Sequence, residues 1–362
     1  MQEERIVTID DRISADEAYG LACQGTALLW RGDYHNARQL LTALSNRADR
    51  RSGKAGRKAS GRPVDPAAVF HLHRQARAQR ARTLGALLVE LDGNYRLDLP
   101  RAPDVRQACR EAFGPAEGPR RVSLQTLLGI IGAHEWRRKG LEIAALGGRI
   151  HPHYGVFAPI RNEYVALVAN TPLPALTAAC SVAFDIGTGT GVLAAVLARR
   201  GIRRVVATDS DPRAIACAVE NIDRLGLNPV VAVEQANLFP AGRAALIVCN
   251  PPWLPARPTS SIEQALYDPD SQMLHGFLNA LGAHLEPEGE GWLILSDLAE
   301  HLGLRARAAL LEAFAAAHLT VLGREDIQPR HPKAADASDP LHRARAAEIT
   351  SLWRLGARAA GI

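Results

Sequence analysis

From about residue 150 onward, short apolar runs alternate with helical patterns, and no other feature limits the possible folds as tightly. The runs are Val182 to Ile186, Arg204 to Thr208, Val230 to Val233, Leu246 to Cys249 and Trp292 to Leu295. Between and after them lie helical patterns at Val192 to Arg200, Pro212 to Leu225, Gln272 to His284 and Leu304 to His318. Runs this short, without polar alternation, suit strands buried on both faces, and each intervening helix must cross back over the sheet in the right-handed sense. An α/β fold with a mostly parallel sheet follows. A last run, Glu348 to Leu355, is expected to pair antiparallel at or near an edge.

One run ends abnormally. Ala245-Leu246-Ile247-Val248-Cys249 stops at Asn250-Pro251-Pro252-Trp253. Proline has no N–H for a sheet ladder, so the two prolines carry the chain out of the sheet in a stiff, extended form. An amide, two free carbonyls and a flat ring are left at the carboxyl end of a strand, where open α/β sheets place their ligands.

The strand Val182 to Phe184 leads into Asp185-Ile186-Gly187-Thr188-Gly189-Thr190-Gly191, which opens a helix. Glycines there permit a sharp turn and a close ligand approach, and the helix start offers free N–H groups. Dinucleotide sites space their glycines Gly-x-Gly-x-x-Gly; here they alternate, which disfavours NAD. The next run ends in Asp209, where a carboxylate can accept both hydroxyls of a ribose. Asp211, directly before Pro212, reads as a helix cap. Asn237 and Leu238 follow the third run, where the asparagine faces an adenine amine or simply makes a turn.

These pieces, preceded by Tyr154-Gly155-Val156-Phe157-Ala158-Pro159, stand in an order that resembles the class I S-adenosylmethionine-dependent methyltransferases. The resemblance is to the branch marked by an Asn/Asp-Pro-Pro-aromatic tetrad, the methyltransferase small domain, and covers roughly residues 150 to 357. It implies a Rossmann-like sheet of seven strands, mostly parallel, with the last strands antiparallel. It further implies S-adenosylmethionine as cofactor, held by Tyr154, Phe157, Pro159, Asp185, Gly187, Thr188, Gly189 and Gly191, with Asp209 on the ribose and Asn237 and Leu238 at the adenine. Asn250, Pro251, Pro252 and Trp253 are the implied catalytic tetrad: the Asn250 oxygen and the Pro251 carbonyl hold a planar amine, and Trp253 stacks on it. After Pro159 the chain reads Ile160-Arg161-Asn162-Glu163, which departs from the Pro-Arg-Pro-Glu-Thr-Glu segment of glutamine methyltransferases.

The 362 residues suffice for two domains. The expected division is an N-terminal, mainly helical domain at 1–115, a linker and connecting helix at 116–150 and the methyltransferase domain at 151–362. Residues 16 to 45 read as two helices turning at Gly32, 45–62 as a basic loop, 87–91 with 95–99 as a hairpin, and Ser123 to Leu146 as one long helix. Between Tyr34 and Arg82 stand 12 Lys and Arg against Asp49 and Asp65, a local excess of 12 − 2 = +10 in a chain whose net charge is +5. That segment points to RNA or a ribosome as partner. The expected acceptor is therefore a base in RNA; the alternatives are a protein glutamine, a small-molecule amine, and an RNA-binding protein with a merely structural donor site. Five singly spaced cysteines and the absence of a long apolar run predict a cytoplasmic chain with no membrane segment and no metal site.

Overall fold

The computed structural model describes residues 5–57, 65–257, 266–329, 336, 337 and 339–358. Two compact units are present, Met1–Arg138 and Lys139–Ile362.

The first unit is built from β1 (Ile6–Ile9), α1 (Ala15–Cys23), β2 (Ala27–Trp30), α2 (Tyr34–Arg57), α3 (Pro66–Gly85), β3 (Leu87–Leu91), α4 (Arg106–Phe113), β4 (Arg120–Ser123) and most of α5 (Leu124–Lys139). Helices predominate, as the sequence suggests, but they accompany a four-stranded sheet of order β1-β2-β3-β4. Its first three strands are parallel, and β4 runs antiparallel to β3.

Several local expectations are corrected here. Ala27 to Trp30 is a strand within the stretch read as two helices; all four residues are buried, so no alternation separates it from a helix. The expected basic loop is helical as far as Arg57, and residues 58–62 of it lie outside the described residues. Arginine, alanine and lysine are good helix formers, and Arg47 and Asp49 gain ion-pair partners in Asp16 at 2.7 Å and Arg80 at 2.9 Å. The expected hairpin keeps only an isolated bridge, Leu91 to Leu97; the antiparallel partner of β3 is β4. Asp65 caps α3 through the Ala67 N–H at 3.1 Å, with Pro66 at the first helical position, as its sequence predicts.

In the second unit, α5 stops at Lys139 and does not continue to Leu146. It gives way to the antiparallel pair β5 (Leu141–Ile143) and β6 (Gly148–Ile150). Next come α6 (Glu163–Asn170), β7 (Val182–Ile186), α7 (Val192–Arg199), β8 (Arg204–Asp209), α8 (Pro212–Arg224), β9 (Val231–Gln235) and β10 (Ala244–Cys249). The remainder is α9 (Gln272–His284), β11 (Leu285–Ser296), α10 (Leu298–His301), α11 (Arg307–Ala316), β12 (Leu319–Ile327), α12 (His342–Ala347) and β13 (Thr350–Ala357).

Seven of these strands form one sheet of order β12-β13-β11-β10-β7-β8-β9. The five central and right-hand pairings' strands, β11 to β9, are mutually parallel, and β13 is antiparallel to both neighbours. Thus β13 lies one place in from the edge, which belongs to β12, a strand with too many charged residues to show as an apolar run. One face is covered by α6 and α7, whose Val165, Val168 and Val192 to Leu197 pack on Ala183, Val205 and Val248. The other is covered by α9 and α11, through Leu274, Phe277, Leu281 and Phe314 on Phe184, Ile247 and Leu293. Strand order reverses between β7 and β10, so a crevice opens at their carboxyl ends.

Candidate active site

Register brings the conspicuous residues to that reversal. Ile186 pairs with both Cys249 and Thr208, so Gly187, Asn250 and Asp209 leave three adjacent strands at the same level. The backbone N–H groups of Gly187 and Thr188 both bond to the Thr208 carbonyl, at 2.9 and 2.8 Å, which folds the loop back over β8. Gly187, Gly189 and Gly191 have φ of +72°, +56° and +80°, a region that side chains with a Cβ rarely occupy. A Cβ on Gly187 would lie 2.6 Å from the Met273 methyl, whereas one on Gly189 would meet nothing within 4 Å. The loop is therefore packed from below and open above.

Asp185 is buried, and its Oδ2 accepts from the Thr188 hydroxyl at 2.6 Å and the Ala194 N–H at 2.9 Å. Its carboxylate thus ties the loop to the first turn of α7. Burial pushes its pKa up to about 6, against the lowering effect of the two donors. Asp209, half-buried, accepts the Gly189 N–H on Oδ2 and the Asp211 N–H on Oδ1, each at 3.0 Å. Burial raises its pKa as well. Its carboxylate keeps acceptor capacity for a further donor. Asp211 caps α8 through the Arg213 N–H at 2.9 Å.

Leu238, at φ +72°, accepts the Thr208 hydroxyl on its carbonyl at 2.5 Å, and the Ala236 N–H bonds to the Asp209 carbonyl at 3.1 Å. Leu238 is half-buried against the α9 face, and Asn237 beside it is exposed. The Tyr154 to Pro159 segment is anchored at its start on α8: Asn221 accepts the His151 N–H at 2.7 Å, and His153 Nε2 meets Glu220 at 2.7 Å. Both histidines thus hold this segment to α8. Tyr154 and Phe157 are half-buried, and Pro159 is buried.

At the tetrad, Pro251 is buried and Asn250, Pro252 and Trp253 are half-buried. The Trp253 indole N–H donates to Asn250 Oδ1 at 2.9 Å, and the ring packs against the apolar clusters of both sheet faces. The chain beyond is held by a bridge between Leu254 and Tyr267 and by the Asp268 N–H on the Leu254 carbonyl at 2.9 Å. Asp268 is itself buried, and its two oxygens accept the Met273 and Leu274 N–H groups at the start of α9. Sequence reasoning passed over Asp268 and Met273. The Asp268-Pro269 pair ahead of a helical run is a capping signal that marks the first, but Met273 under Gly187 shows only in three dimensions.

The donor set suits S-adenosylmethionine. The open space over Gly189 and the start of α7, whose cap residue Gly191 has no side chain, would receive the amino-acid end, and the remaining acceptor capacity of Asp209 would receive the ribose hydroxyls. Among the described residues no group of three His, Cys, Asp or Glu side chains could hold a metal, and no helix is long and apolar enough to cross a membrane.

Release factor glutamine methyltransferase of Cereibacter sphaeroides is 32% identical over 162 residues, 41% of this chain and 57% of that protein. Ribosomal protein L11 methyltransferase of Pelotomaculum thermopropionicum is 49% identical over 69 residues, 18% of this chain and 22% of that protein. The chain therefore spans between 22% and 57% of the length of these relatives. Among solved structures, a methyltransferase from Pyrococcus furiosus aligns with 64% of this chain and 98% of its own, at 19% identity and a TM-score of 0.39. The methyltransferase small domain family matches residues 148–320, a little under half of the chain, and that segment is similar to this family.

Proposed function

We propose that this chain moves the methyl group of S-adenosylmethionine to a planar nitrogen, and that the nitrogen is a side-chain amide of a protein, as in glutamine. The observation that carries the reaction type is the placement of Asn250, at the end of β10, level with the start of the glycine loop at the sheet's reversal. The two relatives named for protein substrates support the acceptor class.

An amide nitrogen is a poor nucleophile because its lone pair is shared with the carbonyl. The bound donor supplies a methyl made electrophilic by a positively charged sulfur. Asn250 Oδ1 and the Pro251 carbonyl each accept one N–H of the acceptor, which turns the nitrogen lone pair toward that methyl. A nitrogen–carbon bond forms as the sulfur–carbon bond breaks, sulfur keeps the electron pair, and the acidified nitrogen gives its proton to water. Orientation supplies the rate, for which aligned reactants gain roughly 7 to 11 kcal/mol.

A second reading, a base in RNA, is favoured by the +10 excess between Tyr34 and Arg82. Two of its arginines are already engaged in ion pairs, Arg47 with Asp16 from outside the segment and Arg80 with Asp49 within it. Incubation with tritiated donor and ribosomes, free RNA or protein extract from a deletion strain separates the two. Label in protein alone supports the amide; label in RNA alone overturns it. Asn250→Ala is expected to abolish transfer while donor affinity stays within about threefold, and equal loss of both would make the tetrad structural.

A further inference from the structure

We propose that Trp253 is a positioning residue whose indole N–H fixes the side-chain amide of Asn250 with its oxygen, not its nitrogen, presented to the acceptor. This rests on the amide-methylation reading above and deepens it.

An asparagine amide is nearly symmetric in shape, and a half-turn about its terminal bond exchanges an acceptor for a donor. Only one of the two orientations serves the reaction, since an NH2 group aimed at the N–H of an acceptor repels it. Something must therefore select the orientation. The indole N–H is a donor with no acceptor capacity, and it lies 2.9 Å from Asn250 Oδ1. In the turned amide, N–H would face N–H, so the bond is lost and a repulsion gained.

Such a selector works only if it cannot follow the group it selects. Trp253 is held by apolar clusters on both faces of the sheet, and the two residues between it and Asn250 are prolines with fixed φ. Asn250 meanwhile continues β10, whose six residues are all buried. Both ends of the contact are thus anchored independently, and the amide oxygen keeps a second lone pair for the acceptor. Trp253 contributes by direction as well as by any stacking of its ring, and a phenylalanine would keep the ring and lose the direction.

The deciding substitution replaces Trp253 by 3-benzothienylalanine, which puts sulfur in place of the N–H and preserves the bicyclic shape; Trp253→Phe accompanies it. With tritiated donor and the ribosome and protein-extract acceptors, kcat is expected to fall about tenfold for the sulfur analogue. KM for the acceptor and affinity for the donor are expected to stay within about twofold. An unchanged kcat overturns the proposal, and so does a loss confined to KM, which is the signature of stacking alone. A second readout needs no turnover: hydrogen exchange of the Trp253 indole proton, followed by NMR in the full chain. Slow exchange in the wild type that becomes fast in Asn250→Ala supports the clamp; equal exchange in both overturns it. If the wild type methylates none of the acceptors, the functional reading fails, and the exchange measurement still decides the clamp.

Discussion

Asp185 shows how a single residue can be legible in kind but not in action. Its place two residues before the first glycine marks it in the sequence as part of a donor loop, yet its carboxylate is spent on the Thr188 hydroxyl and the Ala194 N–H. Which neighbours a side chain meets depends on the turn that the glycines make, and no spacing rule reports it. The place of Asp209 was more readable, because it ends a strand that lies next to β7. Burial raises the Asp185 pKa from 3.8 to about 6, so the folded protein holds this proton more tightly than the unfolded chain does. The corresponding stability is fully present below about pH 4 and is lost as pH rises through about 6, on the order of 3 kcal/mol in all. Asp185→Asn removes the titration. Urea unfolding is therefore expected to show the wild type gaining stability relative to Asp185→Asn as pH falls from 7 to 4.5; a relative loss would contradict it.

Among the elements, those with a clean apolar run or a clear punctuation were readable, such as β7, whose bounds match the sequence reading, or α8 behind Asp211-Pro212. Two of the strands that escaped did so for opposite reasons. In β2 every residue is buried, so its pattern suits a helix equally; β12 alternates too little apolar content with Arg324, Glu325 and Asp326 to register at all. The segment between Pro159 and α6 was visible only as a departure from a familiar motif. The structure gives that departure a partner: Arg161 reaches Glu348, whose buried carboxylate also accepts the Ser296 hydroxyl at 2.7 Å. Removing the guanidinium strands a buried charge, while neutralising the acid leaves an arginine that can turn toward water. Arg161→Met is accordingly expected to cost about 3 kcal/mol, more than Glu348→Gln, as read by denaturant unfolding. Equal or reversed costs would show that the pair does not fasten this segment.

At the level of the whole molecule, the change of pattern near residue 150 suggests two parts, and the chain divides into compact units between Arg138 and Lys139. What the sequence could not show is that the first part has a sheet of its own, since three of its strands have only four residues. All the residues proposed above for the donor site lie in the second unit. A chain of residues 139–362 is therefore expected to bind S-adenosylhomocysteine within about threefold of the full chain by calorimetry, and a loss beyond about tenfold would place donor contacts in the first unit. The position of β13 has a consequence for the order in which this molecule can be made. Synthesis delivers β11, then β12, and only afterwards the strand that must separate them; Gly291 waits for Leu355 and Val321 for the same residue. Until then β11 shows an open flank and β12 has no ladder at all, so a nascent chain passes through a stage with an unsatisfied, partly apolar edge. Leu322 and Val321, exposed on β12, are where that stage is most adhesive, and the charges of Arg324, Glu325 and Asp326 beside them act as its guard against neighbouring chains.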